Sequence, residues 1–178
     1  MGEKIRRIKM LMIGLGEAGK NIATLFKPHT KNYKIIILDE GDGIDKQDSV
    51  EGYDEVDFKF KHRGLKSHDE AILFVCGSGK VAGASLRVLE ALKDFKTSVY
   101  YIVPDLEFCS REEKLRHRVH FNVLQEYARS GMIDEIVVID NKLLIHTAGT
   151  GTTLKYYEKV NYLIYSTIQN LMYCRHTN

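Results

Sequence analysis

The sequence predicts an α/β protein of the Rossmann-like, three-layer kind, with a mainly parallel sheet and a long final helix. Short apolar runs alternate with segments of helical periodicity along most of the 178 residues. In two places, over 14–19 and 77–83, a glycine-rich turn follows an apolar run, as where a strand passes directly into a helix. Because parallel strands need crossover connections, this alternation indicates helices on both faces of the sheet.

The individual elements follow from local patterns. Apolar and β-branched runs predict strands over 9–13, 33–38, 71–76, 98–103 and 136–139, with a candidate edge strand over 56–61. Helical periodicity predicts helices over 16–26, about 81–93, 111–130 and 152–172. Pro28 should stop the first helix, and Pro104 should end the fourth main strand. The acidic, glycine-bearing segment 41–57 is predicted to be a loop. In the 111–130 helix the apolar stripe is Leu115, Val119, Val123 and Tyr127.

Length and composition limit the possible functions. A chain of 178 residues is long enough for one well-buried domain and short for two, so we expect residues 1–178 to form one domain. The net charge of +2 gives no support for a nucleic-acid partner. Basic residues gather at Lys4, Arg6, Arg7 and Lys9 and again at Lys114, Arg116 and Arg118, and we interpret both groups as solvated faces.

Cysteine usage and hydropathy indicate a cytoplasmic protein without a membrane anchor. Cys76, Cys109 and Cys174 lie far apart and form no CxxC pair, so we expect reduced thiols. No window is long and apolar enough to span a membrane, and no signal peptide is recognisable.

Glycine loops supply the chemistry expected at the sheet edge. Gly14-x-Gly16-x-x-Gly19, which runs on to Asn21, joins a strand to a helix N-terminus, where free N–H groups favour a phosphate. The loop 77–85 repeats this arrangement, although its spacing is not that of a Walker A loop. Two such loops at one edge favour a bound polyphosphate. A third glycine run, 147–152, is explained by Thr150 or Thr152 as a helix N-cap.

Polar residues late in the chain favour a purine. Asn141 follows the last predicted strand, and Tyr157 and Asn161 lie four apart on the final helix, so these two share a face. A ring that stacks on a base, beside two amides that bond its edge, could recognise a purine. Glu113, His117 and His120 lie on one helix among Arg and Lys, so we interpret the histidines as solvated and expect no metal site.

In these segments the sequence resembles the tubulin/FtsZ superfamily, in order and over nearly its whole length. The loop 14–21 resembles the first phosphate loop of that family, 38–40 the second and 62–65 the segment near the terminal phosphate. The loop 77–85 stands in the place of the family's glycine-rich signature. The segment 139–144 is similar to the loop whose asparagine contacts guanine, and 157–168 resembles the start of the central helix. The resemblance implies GTP or GDP, with Mg²⁺ accompanying the triphosphate.

Departures from the family pattern accompany this resemblance. The signature loop is shorter than the family's and carries Lys80 and Val81 in place of small residues, and the stretch 63–69 is too short for the family's helix. The family's catalytic acid and second domain lie beyond the central helix on which this sequence ends. We therefore expect no catalytic residue here and a poor GTPase. An isolated preparation that hydrolyses GTP faster as its own concentration rises would contradict this expectation.

The resulting prediction is a guanine-nucleotide-binding domain that could associate with itself or with a filament partner. The residues expected around the phosphates are Gly14, Gly16, Glu17, Ala18, Asn21, Gly77, Ser78, Gly79 and Gly83. Those expected at the base are Asn141, Tyr157 and Asn161, and those at or near the ribose are Asp39, Asp105 and Glu107. One alternative is an NAD-type dinucleotide domain, because Asp39 lies 20 residues after Gly19. A second alternative is an interaction module that has lost nucleotide binding.

Overall fold

Five parallel strands form one sheet in the computed structural model, which describes residues 9–29, 33–51, 56–61, 68–148 and 153–177. The strands are β1 (Met10–Leu15), β2 (Tyr33–Leu38), β3 (Glu70–Cys76), β4 (Lys96–Val103) and β5 (Glu135–Asp140). Their order across the sheet is β2-β1-β3-β4-β5, and every neighbouring pair is parallel. The predicted parallel α/β fold is confirmed.

Helices connect these strands. They are α1 (Gly16–Leu25), α2 (Ala84–Ala91), α3 (Arg111–Arg129), α4 (Asn141–Ala148) and α5 (Thr153–Thr177), with a 3₁₀ turn over Lys27–His29. The long final helix is confirmed, and it continues past the predicted end at 172. No helix within the described ranges combines the length and apolar character needed to cross a membrane.

Three predicted elements are corrected. The segment 56–61 is not a strand. The second helix begins at Ala84 rather than at about 81, because 77–83 is wound into turns by bonds such as Gly79 N–H to Cys76 C=O at 3.2 Å and Ala82 N–H to Gly79 C=O at 3.2 Å. The segment 139–144 was expected to contain a loop, but α4 begins within it, at Asn141. Asp140 Oδ1 accepts the Lys142 N–H at 2.8 Å and so satisfies a free donor at the helix start.

Both faces of the sheet are covered by helices and apolar side chains. Along β1, Met10 and Met12 face one side while Leu11 and Ile13 face the other, as the two-residue period of a strand requires. The first side packs against α1 and α5, and the second against α2 and α3. These two apolar clusters make the three layers, and they leave the carboxyl edge of the strands free for a site.

Helix α3 buries a different face from the predicted one. Its fully buried residues are Arg116, His120 and Leu124, whereas Leu115 is 43% exposed. Interpreting Arg116 and His120 as solvated was therefore wrong. The error has a physical cause: both side chains find hydrogen-bond partners on distant segments, which removes the usual penalty for burying a polar group.

Candidate functional site

A cavity of about 750 Å³ opens at the carboxyl edge of the sheet. Its walls are the β1–α1 turn, the loop after β3, the start of α4 and the first turns of α5. The strand order reverses between β1 and β3, so the cavity stands at the topological switch point where open parallel sheets bind ligands. Its volume is that of a typical small-molecule site.

Nine of the fifteen predicted site residues line this cavity. They are Gly16, Glu17, Ala18, Asn21, Ser78, Gly79, Asn141, Tyr157 and Asn161. They come from segments more than 140 residues apart in the sequence, and the fold brings them to one place. The apolar part of the lining, with Leu15, Ile22, Ile102 and Ile164 among others, was not predicted. In the sequence these residues are indistinguishable from ordinary core positions.

The remaining six predicted residues lie outside the cavity lining. Gly14, Gly77 and Gly83 are buried behind it. Asp39 lies 3.8 Å from the Lys20 ammonium. Asp105 Oδ1 accepts the Glu107 N–H at 3.0 Å, and the Glu107 carboxylate pairs with Lys142. The three acids make these contacts outside the cavity lining.

The first glycine loop is fixed by backbone geometry. Gly16 has φ +67°, a left-handed conformation that lets β1 turn directly into α1. Behind it, β1 and α1 approach so closely that a Cβ on Gly14 would lie 2.5 Å from the Gly19 carbonyl oxygen. No side chain caps α1, and Gly16, Glu17 and Ala18 line the cavity. An uncapped helix N-terminus of this kind attracts an anion.

The second glycine loop is tied to the segment that follows β2. Gln47 N–H donates to the Lys80 carbonyl at 2.8 Å, and the Lys80 ammonium pairs with the Asp48 carboxylate. That pairing is the main reason why the pKa of Asp48 lies below its usual value. Lys80, a departure from the family pattern, therefore interacts with Asp48 and does not line the cavity.

A buried polar cluster supports the second glycine loop from beneath. His120 Nε2 lies 2.6 Å from Ser85 Oγ, and both residues are 0% exposed. The Tyr101 hydroxyl lies 2.8 Å from His117 Nδ1 and donates to the His117 carbonyl at 3.2 Å. A Cβ on Gly77 would come within 1.9 Å of the Tyr101 hydroxyl. Gly77 is therefore a packing residue between the loop and this cluster.

Burial lowers the pKa of His120 to about 3, so we expect this residue to make folding sensitive to acid. The unfolded chain binds the His120 proton below about pH 6.5, whereas the folded chain does not, so stability is lost as the pH falls from 6.5 towards 3. For this group alone the loss at pH 5 is about 2 kcal/mol. Urea unfolding of the wild type and of His120→Gln at pH 7 and pH 5 measures it. Equal losses in the two proteins would contradict the assignment.

The opposite end of the cavity carries the predicted base-contacting residues. Tyr157 is 59% exposed, and its ring is held edge-on by Tyr156, with ring centroids 5.2 Å apart. Asn161 lies one helical turn further along α5. Asn141 begins α4, and its Oδ1 is buried without a hydrogen-bond partner in the part of the chain that the structure describes. A buried acceptor of this kind needs a donor, and a ligand in the cavity could supply it.

Metal-ligating side chains do not cluster in the described ranges: no group of three or more His, Cys, Asp or Glu there could hold an ion. The acidic residues in the cavity lining are Glu17 and Glu158. The predicted terminal-phosphate segment 62–65 lies outside the described residues. So do Lys4, Arg6 and Arg7 and the residues 149–152 of the third glycine run.

The sheet order, the glycine turns after β1 and β3 and the helices on both faces define a Rossmann-like α/β fold with an edge cavity. Among solved structures this chain is similar to CetZ2 from Haloferax volcanii, of the tubulin/FtsZ family, in a GTPγS-bound protofilament. The TM-score is 0.68 at 15% identity, over 95% of this chain and 59% of CetZ2. No protein-family model and no curated protein matches the sequence. The likeness is one of fold, and the chain spans about three fifths of the length of CetZ2.

Proposed function

We propose that this chain is the guanine-nucleotide-binding domain of a tubulin/FtsZ-like cytoskeletal GTPase. One observation carries the proposal: the two glycine loops and the three predicted base-contacting residues line the same cavity. The buried, unpartnered Oδ1 of Asn141 adds a polar group that a ligand would satisfy. The fold likeness to a GTPγS-bound protein supports the same class of ligand.

The phosphates would occupy the end of the cavity beside the glycine loops. The N-terminus of α1 presents backbone N–H groups that no side chain caps, and the loop at Ser78 and Gly79 faces them across the cavity. Backbone donors and the helix dipole together stabilise an anion without a cationic side chain in contact with it. This arrangement fits a polyphosphate better than a single carboxylate, because two loops contribute to it.

The base would lie between the start of α4 and the first turns of α5. The Tyr157 ring offers a stacking surface, and Asn141 and Asn161 offer amide groups for the edge of the base. Guanine presents neighbouring N–H donors and a carbonyl acceptor, which two amides can match. Amides can also pair with adenine, so the preference for guanine rests on the resemblance of 139–144 and 157–168 to the guanine-contacting segments of the tubulin/FtsZ superfamily.

A magnesium ion would accompany the triphosphate. Mg²⁺ usually keeps several waters and binds through phosphates with one or two carboxylates, so a dedicated cluster of protein ligands is not required. Glu17, at the start of α1 and in the cavity lining, is the carboxylate best placed to contact its water shell. When bound, the ion would neutralise phosphate charge.

Assembly and turnover form the remaining part of the proposal. We propose that the protein associates with itself or with a filament partner in the cytoplasm, on the strength of its fold likeness to a protofilament subunit. These 178 residues by themselves would turn GTP over slowly, because the resemblance assigns the water-activating acid to a segment after the central helix.

Calorimetric titration of the purified chain with GTP, ATP and NAD, each with Mg²⁺, tests the proposal. We expect micromolar or tighter binding of GTP, at least tenfold weaker binding of ATP and no measurable heat with NAD. The dinucleotide alternative needs an acid at the ribose, and Asp39 lies outside the cavity lining beside Lys20. Tight NAD binding without GTP binding would overturn the proposal. Analysis of the supernatant after denaturation would show whether nucleotide copurified and is the control for a pre-filled site.

A further inference from the structure

Arg116 is an internal cation that joins two loops. It is 3% exposed, and it reaches from the second turn of α3 to backbone carbonyls of two other segments. Its Nε donates to the Ser78 carbonyl at 3.0 Å and its Nη1 donates to the Asp48 carbonyl at 2.8 Å. Ser78 belongs to the loop that lines the cavity, so the guanidinium stands directly behind the proposed phosphate end.

In the described part of the chain the hydrogen bonds of this guanidinium go to carbonyls and none goes to a carboxylate. Lys80 is the main cause of the lowered pKa of Asp48, and the charge of Arg116 contributes less to it. The Asp48 carboxylate pairs with Lys80, and Glu113, one turn earlier on α3, accepts the Ser110 N–H in the helix cap. The neighbouring His117 and His120 both have a pKa lowered chiefly by burial, so they add no charge at neutral pH. The exposed Lys80 and Asp48 charges compensate each other, so the buried guanidinium is a positive charge that no carboxylate of the described residues pairs with directly.

A buried charge is costly unless an opposite charge compensates it. The backbone carbonyls solvate the guanidinium but do not neutralise it. An anion in the cavity would supply the missing charge from the other side of the loop. The effective dielectric constant there is far below that of water, so the attraction would persist across several ångströms.

We propose that Arg116 is a positioning residue that holds the second glycine loop and also attracts the phosphate chain electrostatically through it. The inference rests on the proposed binding of a polyphosphate nucleotide in this cavity. It assigns to Arg116 a role in distinguishing triphosphate from diphosphate, because attraction to a fixed charge grows with the charge of the ligand. A purely structural role would affect all ligands of the cavity alike.

The test compares Arg116→Met with Arg118→Met, an exposed arginine on the same helix. Calorimetry on the 178-residue chain measures GTP, GDP, guanosine and inorganic tripolyphosphate, and circular dichroism checks the fold. For Arg116→Met we expect about tenfold weaker binding of GTP and tripolyphosphate, about threefold weaker binding of GDP and less than twofold weaker binding of guanosine. Arg118→Met should remain within twofold of the wild type for every ligand.

A second variant keeps the test decisive if Arg116→Met does not fold. Asp48 is 78% exposed at its side chain, and Asp48→Asn removes its charge and its pairing with Lys80 but keeps the backbone carbonyl that Arg116 bonds. The positive charge behind the loop then rises, so we expect two- to threefold tighter GTP binding. Unchanged or weaker binding would overturn the inference, as would equal losses for all four ligands in Arg116→Met.

The proposed function and this inference fail in distinguishable ways. Binding of tripolyphosphate but not GTP by the wild type would overturn the guanine proposal, while its loss in Arg116→Met would still support the role of Arg116. Binding of GTP by the wild type with no change in either variant would overturn only the inference. A wild type that binds neither ligand would overturn both.

Discussion

Replacing Gly19 by alanine should lower the free energy of unfolding by about 3 kcal/mol or more, a large fraction of the stability of an ordinary domain. A Cβ at this position would lie 2.3 Å from the Phe74 carbonyl oxygen and 3.2 Å from the Gly14 carbonyl carbon. Both obstacles are backbone atoms of central strands, and the Phe74 side chain is 0% exposed. Relief therefore requires α1 to move away from the sheet, which would open the first glycine loop. Urea denaturation followed by circular dichroism measures the change.

Gly79→Ala is the matched control for this experiment. Gly79 also belongs to a glycine loop of the cavity, but a Cβ added there would lie 3.3 Å from its nearest obstacle, the Cys76 carbonyl oxygen. The stability change should stay below about 1 kcal/mol. Equal stability losses in the two variants would show that the close approach of α1 to β3 is not what limits position 19.

Replacing Asn161 by alanine should weaken GTP binding by about ten- to a hundredfold, the second large effect that the structure predicts. Loss of one partner leaves a polar edge of the base buried and unsatisfied, at a cost of about 1 to 3 kcal/mol. Asn161 lines the cavity one turn after Tyr157, and its replacement leaves the glycine loops untouched. Binding of tripolyphosphate should therefore be unchanged, and calorimetry with both ligands separates the two ends of the cavity.

Asn170→Ala supplies the comparison on the same helix. Asn170 is exposed and lies outside the cavity lining, so this variant should bind GTP as the wild type does. If Asn161→Ala weakens GTP and tripolyphosphate by the same factor, the substitution disturbs the whole site and the assignment of Asn161 to the base is wrong.

The sequence predicted the strands well because each carries its own local signal. For β2 the predicted and observed bounds agree, because every residue of Tyr33–Leu38 except Lys34 is apolar or aromatic. Helix α4 was missed because it follows β5 without an intervening turn residue, so nothing in the sequence separates them. The start of α2 was placed too early because Val81 and Ala82 continue the apolar character of the helix, whereas the chain there forms turns with hydrogen bonds three residues apart.

The location of the cavity was also predictable, but its supporting side chains were not. Glycine turns at the ends of strands are local patterns, and the parallel topology brings them to one edge. Arg116 and His120 form their bonds with Ser78, Asp48 and Ser85, at sequence separations of 35 to 68 residues. Such partners cannot be inferred from the helix itself, where the same residues resemble a solvated face. Gly14 and Gly77 lie behind the cavity lining and allow close packing there, which a glycine pattern in the sequence does not distinguish from ligand contact.

The hydrogen bonds of Arg116 end on main-chain carbonyl oxygens, and this has an evolutionary consequence. Every amino acid at positions 48 and 78 presents the same carbonyl, so these two positions can change during divergence while the tie between the loops persists. The arginine has no such freedom, because only its planar fork reaches two acceptors from one buried position. Across distant homologues we therefore expect positions 48 and 78 to vary while the arginine at position 116 is retained.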